Sequence, residues 1–257
     1  MMIKFETILL EKKTGYAMVT LNRPSELNAL THEMRKELAD CFTGLEDDAD
    51  VNAVILTGGD YVFSAGMDLK EMAAIPDADI KEYFASISRS LKKIYTFPKP
   101  VIAAAGGVAL GGGFNLLTVC DLIIASESAI FGHPELKFGI NPLFDPLRRL
   151  VGMAKAKELT MLGEPVGAME ALRIGLVNKV VSPENLMVET EAIASELARR
   201  SPITIKYVKK ISGMVPLLDK YSALQLELDT EEFLFSGAER KKLMDEFIES
   251  LKSRKRG

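Results

Sequence analysis

Three segments combine residue types and spacing that could hold and activate a carbonyl group. Gly111-Gly112-Gly113 stands just before a short apolar run that reads as a helix. Glycine lets backbone approach a ligand closely, and a helix N-terminus directs N–H groups and partial positive charge outward, which suits an oxyanion. No Gly-Lys-Ser/Thr follows, so this is not a phosphate loop, and Leu116 stands where the last glycine of a dinucleotide fingerprint would fall. Taken alone, the three glycines read equally well as a plain tight turn. The second segment is Phe63-Ser64-Ala65-Gly66-Met67-Asp68-Leu69. Ser64 lies outside any G-x-S-x-G elbow, so a nucleophilic serine is not expected. Two loops that each lend one N–H to a single carbonyl oxygen are the usual construction of an oxyanion hole. The third segment, 131–140, carries Glu135 among apolar neighbours. Burial raises a carboxyl pKa and makes a proton carrier near neutral pH, although a lone glutamate at a strand end also reads as a solvated or salt-bridged side chain. His133 stays open between a base, a substrate contact and a turn residue. His32, near a helix start, reads as exposed.

These segments need elements to position them. Ile8–Leu10 and Ala17–Leu21 read as a hairpin around Lys12–Gly15. Thr31 can cap a helix with Met34, Leu38, Cys41 or Phe42, and Leu45 on its apolar face. Val51–Thr57 reads as a buried strand ending at Gly58-Gly59. The spacing predicts a helix over 79–95 with Ile80, Phe84, Ile87, Leu91 and Ile94 on one face, and Pro98-Lys99-Pro100 stops it before the strand Val101–Ala105. VILTGG at 54–59 and VIAAAGG at 101–107 echo one another, so both should bring a glycine turn to the same edge. Strand Leu122–Ala125 follows, and from Pro183 the pattern is helical, with stripes Leu217-Tyr221-Leu224-Leu228 and Leu243-Phe247-Leu251. The expectation is an α/β core over 1–185 and a helical region over 186–257 that packs on the core or on a neighbouring subunit.

The chain has 257 residues, 47% apolar and 26% charged, with 32 Lys plus Arg against 36 Asp plus Glu. This is ordinary globular usage, and the acidic balance argues against nucleic acid or an anionic membrane as partner. Cys41 and Cys120 are too few for a disulfide framework and read as small core residues. Residues 101–120 carry no charge, but five glycines, Asn115 and Thr118 fit a strand, a turn and a helix better than a membrane span. No signal core opens the sequence, which leads to an expected cytoplasmic location. The basic end, 252–256, reads as a solvated tail.

Five ordered motifs, LNRPSELNAL at 21–30, FSAGMDLKEM at 63–72, KPVIAAAGGVALGGG at 99–113, CDLIIASESAIFGHPELKFGI at 120–140 and MEALRIGLVNKVV at 169–181, resemble the crotonase or enoyl-CoA hydratase/isomerase superfamily. The resemblance runs from about Leu21 to Val181. It implies a spiral of ββα repeats with a helical C-terminal trimerisation region, a homotrimer or homohexamer, and an acyl-CoA thioester as substrate. Coenzyme A would be part of that substrate, and no metal or other cofactor is expected. By motif position the resemblance implies that the N–H groups of Met67 and Gly112 hold the thioester oxygen. It places coenzyme A along Arg23, Leu27, Asn28, Ala29, Ala65, Gly66, Asp68 and Leu69, with Lys70 meeting a phosphate, and Gly111 and His133 are also expected among the substrate contacts.

The sequence departs from the hydratase pattern. Of the two glutamates that hold and activate water in such hydratases, one is Asn115 here and the other is retained as Glu135. Asn can orient water but does not exchange a proton at neutral pH. The Pro-Gly-x-Gly-Gly turn that would follow is replaced by Asn141-Pro142-Leu143-Phe144-Asp145-Pro146. Asp145 reads as a catalytic carboxylate or as a helix cap before Pro146. With one glutamate, the favoured reaction is isomerisation of a 3-enoyl-CoA to a 2-enoyl-CoA. Hydration of an enoyl-CoA or cyclic dienoyl-CoA, with Asn115 orienting water, is the alternative. A non-catalytic CoA-ester-binding protein is the third reading.

Overall fold

A computed structural model describes residues 5–254, so the first four residues and the last three of the basic tail lie outside it. Strands β1 (Ile8–Lys12) and β2 (Gly15–Leu21) form the expected antiparallel hairpin. Helix α1 (His32–Glu46) starts at Thr31, whose side chain accepts from the Met34 N–H. Then follow β3 (Val51–Thr57), β4 (Val62–Ser64), α2 (Leu69–Ala73), α3 (Ile80–Tyr95), β5 (Val101–Ala105), β6 (Val108–Leu110) and α4 (Gly112–Thr118). Next come β7 (Leu122–Ser126), β8 (Ile130–Gly132), α5 (Asp145–Leu162), β9 (Val166–Gly167), α6 (Ala168–Arg173), β10 (Lys179–Val181) and α7 (Leu186–Ala198). Residues 101–120 thus divide into strand, turn, strand and helix. Among the described residues no helix is long and apolar enough to cross a membrane.

One sheet has the order β1-β2-β3-β5-β7-β10 and is parallel from β2 onward; the other runs β4-β6-β8-β9. Each of the pairs β3/β4, β5/β6 and β7/β8 starts in the larger sheet and ends in the smaller, and each step advances by one strand. That is a spiral of ββα turns. The large sheet is apolar on both faces because both are covered. Val54, Leu56, Val101, Ala103 and Ala105 face α1, α3, α4 and the small sheet, while Ala53, Ile55, Ile102, Ala104 and Ile124 face α7. The echoed glycines turn the corners between sheets. A Cβ on Gly58 would stand 2.1 Å from the Phe63 carbonyl oxygen, and one on Gly107 would stand 2.0 Å from that of Tyr61. No side chain fits between corners stacked this closely.

Helix α7 belongs to this layered unit, tied to β2 by the Tyr16 hydroxyl, which donates to Glu191 at 2.6 Å. Compact units span 1–199 and 200–257, so the division falls after α7 rather than at the 185/186 line drawn from the sequence. The second unit contains α8 (Pro202–Met214), α9 (Lys220–Ser236) and α10 (Arg240–Arg254), with Ser201 capping α8 and Asp219 capping α9. Both of its apolar stripes stay exposed.

The α3 periodicity is partly overturned. Leu91 and Ile94 are buried, but Ile80 and Phe84 are exposed, and Tyr83, Ser86 and Ser90 are buried instead. The serine hydroxyls bond back to carbonyls three residues earlier in the helix. Small polar residues therefore pack inward, where the hydropathy pattern places large apolar ones.

Candidate active site

Leu30 and Met67 form an isolated parallel bridge. The Leu30 N–H donates to the Gly66 carbonyl at 2.8 Å, and the Asp68 N–H donates to the Leu30 carbonyl at 3.5 Å. Both bonds flank Met67, so its own N–H is directed away from Leu30. Gly66 makes this possible with a φ of +105°. Gly112 is the first residue of α4, where an N–H has no acceptor within the helix. The two segments lie against each other. A Cβ on Gly66 would be 3.3 Å from the Gly112 nitrogen, and one on Gly112 would be 2.6 Å from Met67 Cε. Behind them, a Cβ on Gly113 would strike the Ser64 carbonyl oxygen at 2.4 Å. The glycine triplet is therefore a close approach of backbones as well as a turn.

Glu135 sits in a single helical turn over 134–138 and is buried. His133, also buried, places Nδ1 3.0 Å from Glu135 Oε1 and packs its ring, tilted by 40°, against Phe114 with centroids 4.7 Å apart. Glu135 Oε2 faces Gly111, 3.2 Å from where a Cβ would stand. Asn115 follows one helical turn later, its N–H bonded to the Gly111 carbonyl at 2.8 Å. Four buried side-chain polar atoms lack a hydrogen-bond partner among the described residues: Tyr83 Oη, Asn115 Oδ1, His133 Nε2 and Glu135 Oε2. Three of the four belong to this cluster. Such atoms are costly in a folded core and mark a place prepared for something else.

The remaining sequence candidates divide. Arg23 donates through Nη1 to the Ala29 carbonyl at 2.8 Å and to Asp68 at 3.2 Å. Asp68 caps α2 by accepting from the Lys70 and Glu71 N–H groups, and these bonds, with Arg23, hold its carboxyl below the ordinary carboxylate range. Ala29 and Ala65 are half-buried, and Leu27, Leu69 and Lys70 are exposed on the same rim. Asn28 is consumed by the fold. Its φ is +52°, its Oδ1 accepts from the Arg23 N–H, and its Nδ2 donates to the carbonyls of Gly58, Val62 and Phe63. It braces the corner between β3 and β4 from inside.

Asp145 is not brought to the cluster. It is exposed and paired with Arg148 and, at 2.8 Å, with Arg149, which together hold its carboxyl low. It is the first residue of α5, behind Phe144 at the cap, and no side chain caps that helix. The bulky loop before it packs inward, with Leu143 and Phe144 against the main core. His32 is exposed. Cys41 is buried, which pushes its thiol up to about 12. Among the described residues no group of three or more His, Cys, Asp or Glu side chains could hold a metal ion.

Sequence reasoning missed Arg35, which is 1% exposed. A signal was present: positions 35, 38, 42 and 45 share one helical stripe, and the other three are apolar.

The comparisons bear on the family and the fold. The sequence model of the enoyl-CoA hydratase/isomerase family matches residues 11–255. The chain is 39% identical over 254 residues to the short-chain-enoyl-CoA hydratase of Clostridium acetobutylicum, covering 97% of each chain. It is 37% identical over 253 residues to the crotonyl-CoA hydratase of Syntrophomonas wolfei, again covering 97% of each. The crystal structure of an enoyl-CoA hydratase from Bacillus anthracis superposes with a TM-score of 0.91 at 33% identity, covering 95% of this chain and 97% of that one. A ββα spiral with its polar atoms gathered at one glycine turn defines a crotonase-superfamily enzyme. The chain belongs to the enoyl-CoA hydratase/isomerase family.

Proposed function

We propose that the protein adds water to a 2-enoyl-CoA thioester. The observation that carries this reading is the pair of unused buried acceptors, Asn115 Oδ1 and Glu135 Oε2, one on the helix that begins at Gly112 and the other against Gly111. A water molecule has two O–H groups to give, and the pair offers one acceptor for each. The thioester oxygen accepts from the Met67 and Gly112 N–H groups. Glu135 takes a proton from water as the water oxygen bonds to C3, and negative charge moves through C2 to the thioester oxygen. Glu135 then returns the proton to C2. Each backbone donor is worth about 2.7–4 kcal/mol at the transition state, by the usual cost of losing one. His133 holds Oε1, so the other oxygen is left to do the exchange.

Isomerisation of a 3-enoyl-CoA, favoured by the sequence alone, is the second reading. Glu135 is the proton-exchanging carboxylate with a free oxygen here, and it could move a proton from C2 to C4 without Asn115. Coenzyme A enters only as part of the substrate, along Arg23, Leu27, Ala29, Ala65 and the start of α2, with Lys70 meeting a phosphate. The reaction uses no metal or resident cofactor. The assembly we propose is a homotrimer or a pair of homotrimers.

The test is to supply 2-hexenoyl-CoA and 3-hexenoyl-CoA separately in deuterated buffer and to follow product masses. Water added to the first, with one deuterium at C2, supports hydration. Conversion of the second alone supports isomerisation and rejects our first reading. Binding of both without conversion rejects each in favour of a CoA-ester-binding protein.

A further inference from the structure

We propose that Arg35 is a positioning residue for the Met67 donor. Its guanidinium reaches the Leu30 carbonyl on the Asp68 side of the bridge, the Met67 side chain and the start of α2. Nη1 donates at 2.7 Å to the Leu30 carbonyl, the same oxygen that accepts the Asp68 N–H and closes the bridge around Met67. Nη1 also lies 3.8 Å from Met67 Sδ. Nη2 pairs at 2.8 Å with Glu71 on α2, the helix that begins two residues after Met67. Nε donates at 3.0 Å to Ser86 on α3, and the guanidinium lies 4.5 Å from the centre of the Tyr83 ring. Glu71 in turn accepts from the His32 N–H through its other oxygen, at 2.7 Å. One planar fork thus ties α1, α2 and α3 to the bridge that aims the Met67 N–H.

The choice of residue argues for geometry rather than for cohesion. A buried charge is costly unless paired, and a well-packed apolar residue on the α1 stripe would hold the helices at least as well. An apolar residue cannot grip a carbonyl oxygen, a carboxylate and a hydroxyl at fixed angles, whereas the arginine fork does. A lysine offers a point charge on a flexible stem and reproduces only part of this.

The inference rests on the oxyanion reading, and the test separates the two. The carbonyl stretch of 13C-carbonyl-labelled 2-hexenoyl-CoA is recorded free and bound, in the Glu135→Gln background so that the ester is not consumed. If the bound carbonyl is unshifted in Glu135→Gln alone, the oxyanion reading itself fails. A downward shift there that is lost in Glu135→Gln/Arg35→Met and partly kept with Arg35→Lys is the expected result. In the parent background, Arg35→Met should lower kcat about 100-fold, the usual cost of a small misplacement, with KM little changed. Arg35→Lys should fall between. A full carbonyl shift in folded Arg35→Met, or a loss confined to KM, overturns the proposal. Should Arg35→Met not fold, Arg35→Lys and Glu71→Gln are read in the same way, and a full shift in both overturns it.

Discussion

Replacing Glu135 by Gln keeps the side-chain shape and its contact with His133 but removes the proton acceptor. We expect turnover to fall by about 10²–10⁴-fold, the usual worth of a general acid–base, with CoA-ester affinity retained. Calorimetric titration beside steady-state rates checks this, and equal losses in both would reject the role. Asn115→Leu separates the two chemistries. Losing one hydrogen bond to water should slow hydration about tenfold, whereas any 3-enoyl isomerisation should persist, and parallel assays on the two hexenoyl esters decide it. The sequence made the polar pair legible because glycines and a lone carboxylate stand out among apolar neighbours. It hid what tertiary contact decides. Asn28 reads as a ligand contact, but its side-chain hydrogen bonds go to three carbonyls and one N–H of the fold. Asp145 reads as a wildcard because its partners Arg148 and Arg149 are arginines that any surface helix could carry.

At the scale of elements, α2 starts on Asp68, whose carboxyl is held below its ordinary value by the Glu71 N–H and by Arg23. A depressed carboxyl stabilises the fold fully above about pH 4 and loses that contribution as pH falls through the folded value. Asp68→Asn retains a good cap but loses the ion pair. It should cost under about 1 kcal/mol at neutral pH, and the difference should shrink on acidification. Thermal melts from pH 7 to pH 3 would show an equal offset at every pH if this is wrong. Gly113→Ala places a methyl against the Ser64 carbonyl oxygen. We expect a loss of about 1–3 kcal/mol, measured by urea unfolding. Strands β1, β2, β3, β5 and β7 and the Thr31 cap were legible because each rests on local chemistry, whereas the short strands β4, β6, β8, β9 and β10 were not and Asp145 does not cap α5. The inner face of α3 was not legible either, since its packed serines have no apolar signature.

For the whole molecule, Leu217, Tyr221, Leu224 and Leu228, with Phe233, Phe235 and Phe247, are exposed large apolar side chains, and where such side chains gather they mark an interaction surface. We expect self-association, seen as a mass of three or six chains by sedimentation equilibrium. Leu224→Glu with Leu228→Glu should shift it toward a smaller species, and a single chain in the unmodified protein would reject the expectation. The spiral topology was reached from the motif resemblance; the alternation of strands and helices indicated only a layered α/β core. The boundary at 199 escaped because α7 looks like the helices after it, and only its packing on the large sheet sets it apart.

The donors we propose for the substrate oxygen, at Met67 and Gly112, are main-chain atoms, and every residue type except proline carries one. Short of proline, no exchange of side chain at position 67 deletes that N–H; otherwise only a change in the path of the chain can misdirect it. The polarising half of the site is therefore shielded from most of the genetic code. Under the proposed reading, a side-chain change at position 115 alters what can be done to the acyl group without touching those main-chain donors.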